Sequence, residues 1–300
     1  MNSRTTAIIS VVVATILWGV NFHFAKIMLR ESNFIEAGFW RYVLGVAALV
    51  IFSFNNLPKL QTLKANWSKL LLVGLIGLFG FNLFFFLALQ YTSPLNAALI
   101  VSLNPVLTIL LSHFILKTVI TKPQVLGALV ALCGALILLT QGDIKILQTL
   151  HFEKGDMIML LAITMFSLYH VWTTKYGKNI DNRQFTLATN AVCLIAFIIA
   201  TFFTTIKSPA SYSQTFWLAT FGNGVLATAV AYLLWNKGIT RIGADKAALY
   251  MNIVPFTASV AALFFKVQFH LYHLVSGIII IVGIIITQPS YYVTYLKKQD

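Results

Sequence analysis

The chain is 300 residues long, 59% hydrophobic and only 10% charged, with a mean hydropathy of +0.84. A soluble chain carries about 25% charged residues, so this one has too little polar surface to cover itself in water and belongs in a bilayer. Its 21 Lys and Arg stand against 8 Asp and Glu. They fall singly in short gaps between apolar blocks, which excludes the continuous basic face of a nucleic-acid binder and reads as a membrane-topology signal.

A membrane span takes about 20 mainly apolar residues. In chain order this predicts ten transmembrane helices, at 7–29, 35–54, 69–90, 95–116, 123–140, 157–175, 185–206, 214–236, 246–266 and 270–288. The first follows Arg4 but precedes no small-x-small cleavage pattern, so it reads as a retained helix rather than a signal peptide. Thr92, Ser93 and Pro94 are expected to turn the chain into the fourth span. Cys133 and Cys193 lie in separate apolar blocks without metal-ligand spacing and read as small core residues. The longest gap, 141–156, is too short for a soluble domain, so function has to reside among the helices.

With the N-terminus in the cytoplasm, fourteen basic residues fall in inside gaps and six outside, Arg41 lying within the second span. The positive-inside rule therefore places both termini in the cytoplasm.

Shifting the chain by 150 residues lays "AALIVSLNPVLTIL" on "AALYMNIVPFTASV", with Ala97, Ala98, Leu99 and Pro105 on Ala247, Ala248, Leu249 and Pro255. This predicts two repeats, 1–150 and 151–300, of five spans each. Five is odd, so the second repeat crosses in the opposite sense, as in many carriers with a midplane site between inverted halves. Pro105 and Pro255 are expected near the middle of the fourth and ninth spans. There a freed carbonyl is tolerated only against protein or a water-filled cavity, so the prolines mark either cavity-lining, bending helices or packed kinks.

The stretch "ILWGVNFHFAKIML", the arginine of "GFWRYVLG", the segment "YTSPLNAALIVSLNPVLTILLS" and the ten-span duplication together resemble the EamA-like drug/metabolite transporters over nearly the whole chain. The second half is less recognisable around Phe166, Ser167, Tyr169 and His170. The resemblance implies an all-α carrier of small metabolites in the cytoplasmic (inner) membrane, commonly an exporter of amino acids.

Polar groups inside spans are costly and mark candidate binding residues. Trp18 and Asn21, three apart on one helix face, offer stacking and hydrogen bonding; Asn21 alternatively bonds a neighbouring helix. Lys26 and Arg41 either attract an anionic group or snorkel to the headgroups. Asn82, Asn104, Tyr232, Tyr250 and Asn252 add polar edges, whereas Tyr91, Trp235 and Asn236 sit where interfacial belt residues do. Gly74, Gly77 and Gly80 form a small-residue packing ridge. His23, His113 and His170 are either proton-responsive groups within spans or hydrogen-bonded packing residues, His170 being the first to test. All eight acidic residues fall in gaps or at span ends. That argues against proton-coupled transport of cations and for neutral, zwitterionic or anionic substrates.

No HExxH, paired interior carboxylates or cysteine with a plausible base points to an enzyme, and no cofactor or metal is implied. The expectation is a secondary transporter exporting amino acids or related zwitterions by alternating access, with a small-molecule substrate and the lipid bilayer as its partners. A carrier of anionic metabolites is the first alternative and a non-transporting scaffold or lipid-handling protein the second. The internal duplication makes a monomer plausible.

Overall fold

Without water to satisfy them, backbone N–H and C=O groups in apolar runs must bond within the chain, and helices do this locally. The computed structural model describes residues 3–92, 100–143, 145–148, 153–262 and 270–286. Among them every regular element is a helix. Helix α1 spans Ser3–Met28. α2, Phe34–Phe52, starts at a capping box in which Asn33 accepts from the N–H groups of Ile35 and Glu36, and the Glu36 carboxylate accepts from the Asn33 N–H. α3 runs Leu60–Ala88, α4 Asn104–Leu116 and α5 Lys122–Leu139, opened by the Thr121–Gln124 box. α6 covers Lys154–Tyr176 and α7 Asn182–Thr201, capped by Asp181. α8 runs Gln214–Ile242 and stops at Gly243, whose φ of 92° favours glycine. A short turn at Ala244–Ala247 and a 3-10 stretch at Ala248–Asn252 lead into α9, Ile253–Ala262. α10 is Leu271–Ile286.

Seven of these helices are long and apolar enough to cross a membrane. α4 and α10, at 13 and 16 described residues, are apolar but shorter. Several boundaries differ from expectation, and two of them extend a helix through polar residues. α3 begins nine residues before 69, because the polar segment from Leu60 continues the helix beyond the apolar run. α8 continues past 236 to Ile242, carrying Lys237 and Arg241 with it. The expected turn residues Ser93 and Pro94, the Ala97–Leu99 part of the repeat, and Lys297 and Lys298 lie outside the described residues.

α3 and α8 share an irregularity at the 150-residue offset. Leu72–Gly80 and Gly222–Val230 are both wound as wide π-helix within otherwise α-helical rods. Gly74 and Gly224 lie in these stretches at close crossings. A methyl group on Gly74 would stand 2.7 Å from the Thr189 carbonyl oxygen of α7, and one on Gly224 2.8 Å from the Arg41 carbonyl oxygen of α2. The ridge expected from Gly74, Gly77 and Gly80 is thus a packing surface, with Tyr169 and Met165 of α6 against the latter two.

Packing follows a regular scheme. α1 lies on α8 and α9, and α6 on α3 and α4; α2 lies on α7 and α8, and α7 on α2 and α3; α5 pairs with α10. Helix ends are tied in two layers. At the near end, where α1 begins, Arg241 donates to Ser3 Oγ (2.9 Å), Gln184 to Asn56 Oδ1 (2.8 Å) and Gln124 to Asp245 Oδ2 (2.7 Å). At the far end Glu36 Oε1 accepts from the Lys207 N–H (2.7 Å) and the Tyr212 hydroxyl (2.9 Å), and Thr92 donates to Asp156.

Pro105 is not mid-helix. It occupies the first turn of α4 after a break at residues 102–103, where its missing N–H has no intrahelical acceptor to lose. Pro255 likewise falls in the first turn of α9, directly after the 3-10 stretch. Cys193 is buried as expected, but Cys133 is exposed on α5.

Candidate functional site

The breaks before α4 and α9 face a common space. A narrow cavity of about 40 Å³ is lined by Trp18, Asn21 and Phe22 of α1, Arg41 of α2, Phe81 and Phe85 of α3, Asn104 of α4, Ile163 and Phe166 of α6, and Tyr232 of α8. Val101, Met251 and Val254, at the two breaks, complete it. A water needs roughly 10–15 Å³ of such space, so a few waters fit and a larger guest requires the helices to part.

Arg41 is 2% exposed, eight residues beyond the Asn33 cap, and its guanidinium is turned into the helix bundle. Its Nε donates to Thr228 Oγ1 at 2.8 Å, and that hydroxyl donates onward to the Asn223 carbonyl at 3.1 Å. This fixes the fork, and among the described residues its terminal nitrogens have no hydrogen-bond partner. The Tyr42 ring lies 5.8 Å from the guanidinium carbon. Among the described residues no carboxylate pairs with Arg41, so the wall carries a buried, uncompensated positive charge.

Asn21 is 6% exposed, and its Oδ1 accepts no hydrogen bond. A bare acceptor and a bare cationic fork thus border one cavity. Asn104 is committed differently. Its amide nitrogen donates to Ser167 Oγ (3.0 Å) and weakly to the Ile163 carbonyl (3.4 Å), tying the start of α4 to α6. The rest of the wall is aromatic. Trp18 donates its indole N–H to the Ala227 carbonyl at 2.9 Å, inside the π-wound stretch of α8. Its ring meets Phe166, Tyr232 and Trp235 at 5.5, 5.4 and 5.0 Å. Phe81 stacks on Phe166 at 4.1 Å. Toward the near end Trp235, His170 and Tyr169 close the space as a floor of packed rings.

Of the residues expected to bind, Trp18, Asn21, Arg41, Asn104 and Tyr232 line the cavity together. Lys26 does not: it is exposed, on a different face of α1 from Asn21. Asn82 is fully buried outside the lining, donating to the Tyr42 hydroxyl and the Leu78 carbonyl, both at 2.8 Å. Tyr250 and Asn252 are buried outside the lining set, and His170 lies beneath it. Trp235 and Asn236 are not belt residues. Both are fully buried, Asn236 accepting from the Tyr169 hydroxyl (2.6 Å) and donating to Thr186 (2.9 Å). His113 is exposed at the end of α4, with its ring 2.7 Å from the Thr118 carbonyl. Phe22, Phe81, Phe85 and Thr228 were not singled out from sequence. Phenylalanines carry no signal in so apolar a chain, and Thr228 is recognisable only through its bond to Arg41.

A multi-pass helical membrane protein with a largely aromatic cavity among its helices, bordered by a buried arginine, belongs to the class of membrane carriers. The EamA-like transporter family matches the chain twice, over residues 5–140 and 153–288, and the chain belongs to that family. It is a transporter family and not one of enzymes. The chain is 33% identical over 275 residues, 90% of each chain, to the uncharacterized transporter YyaM of Bacillus subtilis (strain 168). It is 27% identical over 184 residues, 61% of this chain and 62% of the relative, to the aromatic amino acid exporter YddG of Ancylobacter novellus. A solved crystal structure superposes with a TM-score of 0.79 over 95% of this chain and 97% of that one, at 19% identity, which shows a shared fold.

Proposed function

We propose that this protein carries zwitterionic amino acids with large apolar or aromatic side chains across the cytoplasmic membrane, in the export direction, by alternating access around the Arg41 cavity. The observation that carries this reading is the buried Arg41 fork, whose terminal nitrogens have no partner among the described residues and which borders a cavity walled by Trp18, Phe22, Phe81, Phe85, Phe166 and Tyr232. A guanidinium fork matches a carboxylate bidentately. Asn21 Oδ1 is an acceptor for an ammonium group, and the rings suit an apolar or aromatic side chain. The partial relative named as an aromatic amino acid exporter supports the same substrate class.

The architecture in this reading is ten crossings in two inverted repeats, 1–150 and 151–300. The packing scheme supports it: exchanging α1 to α5 with α6 to α10 in order maps the α1–α8, α1–α9 and α2–α8 contacts onto α6–α3, α6–α4 and α7–α3, and the α2–α7 and α5–α10 pairs onto themselves. The shared π-wound stretches and the prolines at the breaks before α4 and α9 support it as well. Basic residues concentrate at the near end, and in this reading that end and both termini face the cytoplasm. One chain holds both halves of the site, so the working unit is a monomer.

The unpaired Arg41 also favours a second reading, a carrier of anionic metabolites. Counterflow in proteoliposomes separates the two. Saturable exchange of labelled phenylalanine, tryptophan or leucine supports the amino-acid reading. Exchange of organic acids or phosphorylated compounds alone replaces it.

A further inference from the structure

His170 follows Phe166 by one turn of α6, and Trp235 follows Tyr232 by one turn of α8, each step leading from the cavity toward the near end. Both residues are 0% exposed, and their rings lie 4.8 Å apart. Trp235 Nε1 and both ring nitrogens of His170 lack any hydrogen-bond partner. An indole N–H can only donate, and a neutral imidazole carries one donor and one acceptor. Leaving such groups unmade in a buried place costs more than an ordinary hydrogen bond gains, and purely apolar rings would pack there without that cost. Phe166 and Trp18 present rings, and the Tyr169 hydroxyl is already engaged with Asn236.

We propose that His170 and Trp235 form a second substrate subsite, a pair of neutral donors that takes a carboxylate oxygen of the substrate once α6 and α8 part at the near end. The proposal rests on the carrier reading above. Arg41 holds the carboxylate in the cavity, and a substrate leaving a guanidinium needs other donors along its way. Two uncharged donors hold the carboxylate more weakly than Arg41 does, which suits loading and release at the near face.

The test is counterflow of labelled L-phenylalanine in proteoliposomes of determined orientation, with half-saturation measured separately at each face for the wild type, Trp235→Phe, His170→Phe and His170→Gln. Trp235→Phe and His170→Phe keep the ring packing and remove the donors. They should raise half-saturation at the near face about tenfold, the worth of one hydrogen bond, and leave the far face unchanged. His170→Gln restores a donor and should recover the wild-type near-face value. Equal shifts at both faces, or none, would overturn the subsite and leave these residues as packing. If the wild type exchanged no phenylalanine or other amino acid, the carrier reading would fall first and the subsite with it.

Discussion

Arg41 of α2 and Thr228 of α8 meet across the contact between the two repeats, guanidinium Nε to hydroxyl oxygen at 2.8 Å. The bond holds the guanidinium in the cavity wall by its inner nitrogen, so the outer nitrogens stay presented. Thr228→Val keeps the shape and deletes the acceptor. It is expected to raise half-saturation for the substrate several-fold, corresponding to about 1 kcal/mol, with the maximal rate less affected. Concentration-dependent counterflow measures both quantities, and an unchanged half-saturation would mean that Thr228 does not position Arg41.

Gly74 and Gly224 are each packed against a backbone carbonyl, which cannot swing aside as a side chain can. Gly74→Ala and Gly224→Ala should each lower stability by about 1–3 kcal/mol, the usual cost of overpacking. Gly224→Ala should additionally impair transport, because the atom it strikes belongs to Arg41. Thermal unfolding in detergent, paired with counterflow, distinguishes the two variants.

At the far end Glu31 accepts from the Ser213 N–H (2.8 Å) and hydroxyl (2.5 Å), beside the Glu36 contacts with Lys207 and Tyr212. The Ser213 hydrogen bonds hold the Glu31 carboxyl below its ordinary value of 4.5. A depressed carboxyl adds stability above its unfolded pKa and loses it as pH falls through the folded one. Amide exchange in 205–214 should therefore accelerate as pH drops below about 4.5, after correction for intrinsic rates. In Glu31→Gln that extra acid dependence should vanish; its persistence would place the sensitivity elsewhere.

Pro105 sits in the first turn of α4, so Pro105→Ala should cost under about 1 kcal/mol and leave folding intact. Asn104→Ala, by contrast, removes the bond to Ser167 and should loosen the start of α4. A melting shift larger for Pro105→Ala than for Asn104→Ala would contradict this ordering.

Much of the helix layout is legible in the chain, because long apolar runs announce themselves. The ends are less so: α3 and α8 continue as polar helix beyond the apolar run, where hydropathy has no further signal. That continuation is why Trp235 and Asn236 read as belt residues although seven and six positions of helix still follow each. Trp18, Asn21, Arg41, Asn104 and Tyr232 stood out as polar or amphipathic groups in apolar surroundings, and they share the cavity. Lys26 stood out for the same reason and faces outward instead. Which face of α1 turns inward depends on partners from distant segments, as does the Thr228 contact of Arg41, and local pattern does not encode either.

The most direct measurement of the central claim is counterflow by Arg41→Gln against wild type, using phenylalanine and its decarboxylated amine as paired probes. If Arg41 takes the carboxylate, wild-type exchange of phenylalanine is saturable and is inhibited weakly or not at all by the amine. The variant then loses phenylalanine affinity by about tenfold to a hundredfold, the worth of a charged hydrogen bond, while remaining folded. Unchanged phenylalanine half-saturation in a folded Arg41→Gln protein would contradict the account.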